Sequence, residues 1–555
     1  MNKSINLLSL CLLIMCSTAS AQQSKLPKVV NRYGQTVDMP AMDSPEANDI
    51  VPRRCITTKS TASRAGSTRA ISTTSQYVPH KGKVTIPVIL VNFSDCKFTV
   101  KEPVKAFEQF FNGTEQVNLG NGNNTNHGSV AQYFSEVSDS AFTPTFKVLG
   151  PVTLSHNVQY YGGKNPNDAD DEKDTQLATD AIAALQASTD AITNTALYSS
   201  DGSTIDCVYL VYAGLGQNYG GAATTVWAKT YSYNQKLKDK NVRWVSIASE
   251  LSPFSTTFNN ETVQKITGIG VTVHELSHAL GLPDFYPTTS TAYVDNQEME
   301  YWDLMDGGEY QGNGYCPSPY TAFERNEMGW PVSIGQLTET QDITMSDATA
   351  EGGKAYQIVN PNNSNEYFML ELIHKTGWNT NAYGEGLLAY HVNRPSETTN
   401  SWTRYNNLTG FPGMAVIPAD SACLSSYLIN DKDDSNRYFA SLRGDLFPGT
   451  SETTELSDKA PRPNFCWYNT NFSWTNAANN KKSATNRALT NIAYDQSAGV
   501  LTFHYIHDVA AGIRQLRANE EGNKAIYTID GRYAGTSLQA LPHGIYIVGG
   551  RKVIK

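Results

Sequence analysis

The chain is poor in charged side chains, and it lacks the features that mark several large classes of protein. Charged residues make up only 17% of the 555 residues, and the formal net charge is -10. This negative balance argues against nucleic acid as a partner, because phosphate backbones bind basic surfaces. Beyond the N-terminus, no apolar run in the sequence is long enough for a helix that crosses a membrane. Asparagine, threonine, serine, tyrosine and glycine are abundant instead, a composition typical of extracellular, β-rich proteins.

The N-terminal residues have the three parts of a secretory signal peptide. Lys3 precedes a short apolar stretch, which ends in the small-residue cleavage sequence at 19–21. We therefore expect residues 1–21 to be absent from a mature protein that is secreted or held at the cell surface. Cys16 leaves a lipid-anchored precursor open as an alternative.

Cysteine is scarce, and the few cysteines are not spaced for metal binding. None of the eight forms a Cys-x-x-Cys pair, so we do not expect a cysteine-ligated structural zinc site. In an exported chain the remaining cysteines allow up to three disulfide bonds. These cysteines are Cys55, Cys96, Cys207, Cys316, Cys423 and Cys466.

One segment carries a dense chemical motif. Its sequence is His274-Glu275-Leu276-Ser277-His278-Ala279-Leu280-Gly281-Leu282-Pro283-Asp284. Two histidines four positions apart on a helix lie on one face, so both imidazoles can reach one metal ion, and the intervening Glu275 can take a proton from a metal-bound water. Gly281 can end the helix and let the chain return Asp284 as a third ligand. With 10 histidines and 53 acidic residues, chance predicts about 0.02 copies of His-Glu-x-x-His, which disfavours two ordinary surface histidines.

Apolar residues recur at three- and four-residue spacing through this segment, which predicts a buried helix. They are Val263, Ile266, Ile269, Val273, Leu276 and Leu280. Asn259 or Asn260, followed by Glu261, would supply the N-terminal cap and an acidic first turn.

A second motif surrounds a single methionine with aspartates and glycines, which predicts a tight turn carrying an apolar side chain. It reads Tyr301-Trp302-Asp303-Leu304-Met305-Asp306-Gly307-Gly308. Together the two motifs resemble the immune-inhibitor-A-type family of secreted bacterial zinc metallopeptidases, which are relatives of the metzincins. More weakly, the resemblance covers most of residues 80–508. It implies an endopeptidase with Glu275 as general base, Met305 as the Met-turn residue beneath the metal, and three Zn²⁺ ligands, His274, His278 and Asp284.

Further residues are candidates for supporting roles. Glu298 and Glu300 are reserve metal ligands if Asp284 does not reach the metal, and Tyr310 is a candidate for stabilising the oxyanion. Two acidic stretches, residues 168–174 and 201–206, are candidates for a structural Ca²⁺ site. Solvated carboxylates at a helix start explain the first stretch equally well.

The predicted fold class is an α+β, zincin- or metzincin-like catalytic domain followed by an all-β sandwich region and a short C-terminal β segment. The predicted segments are a signal peptide at 1–21, a propeptide and linker at 22–82, the catalytic domain at 83–335, the β-sandwich at 336–508 and the C-terminal segment at 509–555. In the propeptide, Cys55 is a candidate thiolate that would bind the zinc and keep the enzyme latent. The alternative is a cysteine with no role at the zinc. The end of the chain resembles the sorting domain of type IX secretion substrates. This resemblance implies that the type IX secretion machinery is a partner. An ordinary terminal β-hairpin is the alternative.

The sequence thus predicts a secreted, monomeric, zinc-dependent endopeptidase that is made as a zymogen and acts on extracellular proteins or peptides. Two other classes remain as rivals. A non-catalytic surface protein that binds glycans or matrix would be expected to have lost Glu275 or a ligand, and all are present. A zinc hydrolase of another bond is disfavoured by the propeptide and by the Met-turn resemblance.

Overall fold

The structure is a computed structural model that describes most of the chain after residue 25. The described residues are 26–50, 76–114, 117–118, 125–163, 173–258, 261–288, 292, 297–350, 352–395, 406–509, 525–529, 531–548 and 551–555. The predicted signal peptide, Cys55 and the acidic residues 168–172 lie outside them. Among the described residues, no helix combines the length and the apolar character that crossing a bilayer requires.

An N-terminal segment, residues 26–50, forms a small hairpin of β1 (Lys28–Val30) and β2 (Thr36–Asp38). The amide of Val30 donates to the carbonyl of Gly220 at 3.0 Å, and the amide of Ser255 donates to the carbonyl of Pro40 at 2.8 Å. The first part of the predicted propeptide therefore packs on the region that carries the two motifs.

That region is a mixed sheet with helices on both faces. Its strands are β3 (Thr85–Asn92), β4 (Val117–Asn118), β5 (Thr125–Asn126), β6 (Thr145–Thr153), β7 (Thr204–Leu215), β8 (Lys229–Ser232), β9 (Lys236–Leu237), β10 (Lys240–Phe258) and β11 (Glu261–Ile266). Its helices are α1 (Pro103–Asn112), α2 (Val130–Val137), α3 (Val158–Gly162), α4 (Asp174–Gln186), α5 (Gly270–Leu280) and α6 (Ala322–Glu327). The main sheet has the order β11-β10-β7-β3-β6, and β8 and β9 also pair with β10, whereas β4 and β5 form a separate two-stranded sheet.

The central strands are parallel and buried on both faces. β6, β3, β7 and β10 run parallel, whereas β8, β9 and β11 are antiparallel to β10. Because successive side chains of a strand point to opposite faces, Val88 and Leu90 of β3 pack with α5 in one core, and Ile89 and Val91 pack with α4 in the other. The mixed α and β architecture that the sequence predicted is confirmed at this level.

The helix that carries the first motif begins later than the sequence predicts. Residues 261–266 form β11, antiparallel to β10, and α5 starts only at Gly270, so the predicted cap at Asn259 or Asn260 is wrong. The apolar spacing that suggested one long helix also fits a strand followed by a helix, because Ile266 and Ile269 are buried in either case.

The β-rich region that follows has two sheets around one core. Its strands are β12 (Ile334–Gln336), β13 (Gln341–Ser346), β14 (Ala355–Asn360), β15 (Asn363–Ile373), β16 (Gly386–Asn393), β17 (Met414–Val416), β18 (Leu456–Ser457), β19 (Trp467–Tyr468), β20 (Lys482–Ser483), β21 (Ala488–Asp495) and β22 (Val500–Ile506). The sheets β12-β14-β15-β16-β17 and β13-β22-β21-β18 share a core that includes Phe368 and Phe503. The expectation of β structure alone misses α7 (Lys432–Gly444), whose N-cap Asp431 accepts a hydrogen bond from the amide of Asp434.

The chain ends in a four-stranded sheet, ordered β24-β23-β25-β26. Its strands are β23 (Ile526–Thr528), β24 (Tyr533–Gly535), β25 (Ile545–Val548) and β26 (Arg551–Ile554).

The described cysteines form no disulfide bond. They are Cys96, Cys207, Cys316, Cys423 and Cys466, all free. Within the described part of the chain, the thiols are therefore buried or half-buried packing groups, and burial raises the pKa of Cys423 and of Cys466 to about 11.

Candidate metal centre

Helix α5 places both histidines of the first motif in a buried site. Every residue of the helix is buried, and the rings of His274 and His278 lie with their centroids 4.6 Å apart. Gly281 ends the helix at a φ of +111°, and a Cβ at this position would lie 3.2 Å from the ring of Tyr77. A side chain here would be both strained and crowded, so glycine is needed for the sharp exit from α5.

Main-chain carbonyls orient both imidazoles. Nδ1 of His274 lies 3.0 Å from the carbonyl oxygen of Leu304, and Nδ1 of His278 lies 2.7 Å from that of Leu282. Because a carbonyl only accepts hydrogen bonds, we assign the ring proton of each histidine to Nδ1. The lone pair of each Nε2 is then available for a metal.

Asp284 completes a group of three side chains that could hold a metal ion. Its Oδ1 lies 3.5 Å from Nε2 of His274 and 3.1 Å from Nε2 of His278. With metal–ligand bonds of about 2 Å, neighbouring ligand atoms of a tetrahedral zinc site are roughly 3.3 Å apart. Within the described part of the chain, these three residues are the one group of histidine, cysteine and acidic side chains arranged to hold a metal ion.

Glu275 sits beside this set as a buried carboxyl group. Its Oε2 is buried and has no hydrogen-bond partner among the described residues. Burial, with the Glu309 and Asp284 carboxylates adding to it and His274 opposing it, raises the pKa of Glu275 to about 8. A buried carboxyl group with so strongly perturbed a pKa, next to candidate metal ligands, is typical of a functional site.

Glu309 lies at the site although no sequence pattern predicts it there. Its Oε2 lies 3.7 Å from Nδ1 of His274. Burial alone lowers the pKa of His274, but the carboxylates of Glu309, Asp284 and Glu275 outweigh burial and raise this pKa to about 10. Three carboxyl groups around two imidazoles form a donor set with an excess of negative charge, which a divalent cation would neutralise. Glu309 follows two glycines outside any periodic pattern, so no spacing in the sequence indicates it.

The predicted Met-turn (residues 303–306, called the Met-turn below) contacts the candidate ligand segments through its backbone. The carbonyl of Leu304 accepts from His274, and the carbonyl of Met305 accepts from the amide of Phe285 at 2.9 Å, directly after Asp284. Met305 itself is fully buried. The second motif therefore meets the first where the ligands converge.

The reserve ligands lie outside the three-residue group. Glu300 accepts from the amide of Ser426 at 2.9 Å and from the hydroxyl of Tyr438 at 2.7 Å, which connects it to the β-rich region. Glu298 is buried but does not belong to the group. Tyr310 is buried with its ring against Tyr219, and its role at the oxyanion stays a prediction.

In the second stretch predicted to bind Ca²⁺, residues 201–206, the carboxylates contact donors of the protein itself. Asp201 accepts from the amides of Ser203 and Thr204 and pairs with Arg243 at 2.7 Å. Asp206 lies 3.7 Å from the same guanidinium. These contacts favour a structural salt bridge over a cation site. Of the first stretch, residues 168–172 lie outside the described residues.

The region that carries this site is also similar to a known protein family. Residues 74–331 match the immune inhibitor A peptidase M6 catalytic domain. This part of the chain is an M6 peptidase domain. The family resemblance drawn from the two motifs is thereby confirmed, and the match begins before the boundary at residue 83 that the sequence predicted.

The M6 domain also has relatives among characterised proteins. The chain is 25% identical over 227 residues to "Pre-pro-metalloprotease PrtV" of Vibrio cholerae serotype O1, an alignment that covers 37% of this chain and 24% of the relative. It is 24% identical over 285 residues to "Immune inhibitor A" of Bacillus thuringiensis subsp. alesti, covering 46% of this chain and 40% of the relative. The chain thus spans less than half the length of these relatives. Over the region they cover, the matches are to metalloproteases, a class that uses a divalent metal.

Proposed function

We propose that the protein is a zinc-dependent endopeptidase, with Zn²⁺ held by His274, His278 and Asp284. The convergence of two Nε2 atoms and one carboxylate oxygen, at separations of 3.1 and 3.5 Å, carries the proposal. Bound there, Zn²⁺ would lower the pKa of a water molecule and polarise the scissile carbonyl group.

The other site residues transfer protons or orient the metal ligands. Glu275, a buried carboxyl group beside the proposed ligands, takes a proton from the attacking water and returns it to the leaving amine. Leu304 and Leu282 keep the histidines oriented through their carbonyls. Met305 forms the apolar floor of the site, as the family resemblance implies.

The substrate is an extended peptide that lies along β8. Among the described strands, β8 pairs with β10 alone, so it lies at an edge of the sheet. Its Thr230 donates a hydrogen bond of 2.6 Å to the carbonyl of Glu275 on α5, and this contact supports a position of the edge beside the proposed metal site. An extended peptide can add to such an edge through main-chain hydrogen bonds.

Export and latency complete the proposal. The signal peptide at 1–21 directs secretion, residues 22–82 keep the enzyme as a zymogen, and residues 509–555 serve export by a type IX pathway to the medium or the cell surface. The mature enzyme acts as a monomer on extracellular proteins. A structural Ca²⁺ ion remains part of the proposal, without assigned ligands.

The test is casein degradation by the purified mature protein beside Glu275→Gln, with zinc quantified in both. We expect about one zinc in each protein and a loss of activity of at least 10²-fold in the variant, because a general base contributes about this much. Glu339→Gln, an amide substitution at an exposed acid, is the matched control. Equal activity of parent and Glu275→Gln would reject the role of Glu275, and absence of zinc from both would reject the site.

A further inference from the structure

Residues 284–288, called the ligand loop below, contact both the M6 domain and the β-rich region. The loop begins with the third proposed ligand, and all five of its residues are buried. Within the M6 domain, the amide of Phe285 donates to the carbonyl of Met305 in the Met-turn at 2.9 Å. From the β-rich region, Asn406 and Asn407, which lie between β16 and β17, bond to the same loop. Two parts of the fold therefore hold the loop that carries this ligand.

Asn406 joins the ligand loop to β17. This side chain is 1% exposed. Its Oδ1 accepts from the amide of Met414, the first residue of β17, at 2.9 Å, and its Nδ2 donates to the carbonyl of Met414 at 3.0 Å. The same Nδ2 donates its second hydrogen to the carbonyl of Phe285. Both main-chain groups of Phe285 are thus bonded, the amide to the Met-turn and the carbonyl to the β-rich region.

Asn407 holds the other end of the ligand loop. Its Oδ1 accepts from the amide of Thr288 at 2.6 Å, and its Nδ2 donates to the hydroxyl oxygen of Thr288 at 2.7 Å. The pair of bonds fixes the backbone and the side chain of Thr288 together. Because Asn407 is only half-buried, it can be replaced without opening a cavity in the core.

The β-rich region also contacts the chain further toward the Met-turn. The amide of Val416 in β17 donates to the carbonyl of Glu298 at 3.1 Å. The hydroxyl of Tyr438 in α7 donates to the carboxylate of Glu300 at 2.7 Å. The stretch of chain that joins Asp284 to the Met-turn is therefore bonded to the β-rich region near its beginning and near its end.

Asp284 depends on such support more than the two histidines do. His274 and His278 lie on one helix, whose main-chain hydrogen bonds fix their spacing. Asp284 follows the turn at Gly281, outside α5, so the path of the loop sets its distance from the imidazoles. A metal binds most tightly where the protein holds the ligand atoms in the required geometry before the metal arrives. Contacts that fix the loop are therefore expected to raise metal affinity.

We propose that Asn406 and Asn407 are positioning residues through which the β-rich region holds Asp284 at the metal site. Metal binding by the M6 domain then depends on the docking of the β-rich region against it. The proposal deepens the proposed function, on which its link to zinc rests.

Two substitutions of Asn407 give the primary test. Asn407→Ala removes both bonds to Thr288, whereas Asn407→Asp keeps them, because a carboxylate accepts from the amide and from the hydroxyl. We expect the zinc affinity of N407A to fall by about tenfold, as for other groups that support metal ligands, and that of N407D to stay at the parent level. Competition with a chromophoric chelator measures both. Equal affinities of N407A and the parent, or equal losses in N407A and N407D, would overturn the proposal.

Asn406→Asp tests the buried contact with a substitution of equal size. Its carboxylate cannot donate to the carbonyls of Phe285 and Met414, so the ligand loop loses its bond to β17. Asn480→Asp is the matched control, because Asn480 is also buried and bonds to both main-chain groups of Ser473, at 2.8 and 3.0 Å, within the β-rich region. We expect N406D to bind zinc at least about tenfold more weakly than N480D. Equal zinc affinities of folded N406D and N480D would contradict the positioning role.

Amide hydrogen exchange provides a readout that needs no metal. In metal-free N407A, the amides of residues 282–288 should exchange about tenfold faster than in the metal-free parent, because the loop opens more often. N480D should leave their exchange unchanged. Equal exchange in N407A and the parent would show that Asn407 does not hold the loop.

Zinc content separates this proposal from the function itself. Absence of zinc from the parent would reject the proposed metal site, and the positioning role with it. Zinc bound with equal affinity by the parent and N407A would reject the positioning role alone. Neither measurement uses a substrate, so both stand whatever the Glu275→Gln test shows about peptide hydrolysis.

Discussion

At the scale of single residues, main-chain carbonyls orient two of the three candidate metal ligands. Leu304 and Leu282 each accept from an Nδ1 and thereby direct an Nε2 toward Asp284. Neither leucine stands out in the sequence, because any residue offers a carbonyl. The sequence could therefore indicate the donors of the site but not the groups that orient them.

Glu309 leads to a prediction about metal affinity. Glu309→Gln keeps the size of the side chain and removes the charge 3.7 Å from His274. Since outer carboxylates support the basicity of ligating histidines, we expect zinc affinity to fall by about tenfold or more. Competition with a chromophoric chelator measures the affinity, with Glu339→Gln as the exposed control. Equal affinity in the two variants would show that Glu309 does not support the site.

At the scale of elements, close backbone contacts decide where α5 begins. A Cβ on Gly270 would lie 1.9 Å from the carbonyl oxygen of Glu309, and one on Gly268 would lie 2.2 Å from that of Gly314. The amide of Thr267 donates to the carbonyl of Glu250, which continues the sheet up to the helix. The start of α5 is therefore set by partners distant in sequence, and a periodicity argument could not locate it.

Gly270→Ala tests this contact. The added methyl group has no room, so α5 or the segment of Glu309 must move, and we expect a loss of about 1–3 kcal/mol in the free energy of unfolding. Gly544→Ala is the control, because its Cβ would meet its nearest neighbour at 3.4 Å, an ordinary contact. Chemical denaturation measures both, and a neutral Gly270→Ala would show that the segments are not tightly packed.

At the scale of the whole molecule, the N-terminal segment connects the M6 domain to the β-rich region. Its Val30 contacts Gly220, its Asp49 pairs with Lys432 of α7 at 2.8 Å, and its Arg32 lies over the ring of Phe439. The sequence predicts that residues 22–82 are a propeptide and linker. The contacts make residues 26–50 a packed part of the folded chain, whatever later processing removes.

Zinc should stabilise the folded molecule as a whole. A ligand that binds only the folded state adds about 4 kcal/mol at a thousandfold excess over its dissociation constant. We therefore expect chelation to lower the melting temperature of the parent and zinc to restore it. His278→Ala, which removes one proposed ligand, should show no such response. A zinc response of equal size in His278→Ala would place the metal elsewhere.

By itself, the sequence determined the features that depend on local spacing. His274, Glu275 and His278 share one turn of a helix, Gly281 provides its exit, and the central strands are recognisable as apolar runs, because each pattern depends on neighbours in the chain. Only the tertiary structure decided that Glu309 faces His274 and that α5 begins at Gly270. These contacts join segments that are distant in the sequence and meet only on folding. In the folded chain, burial changes the charge of side chains, and close packing limits the space available to each of them.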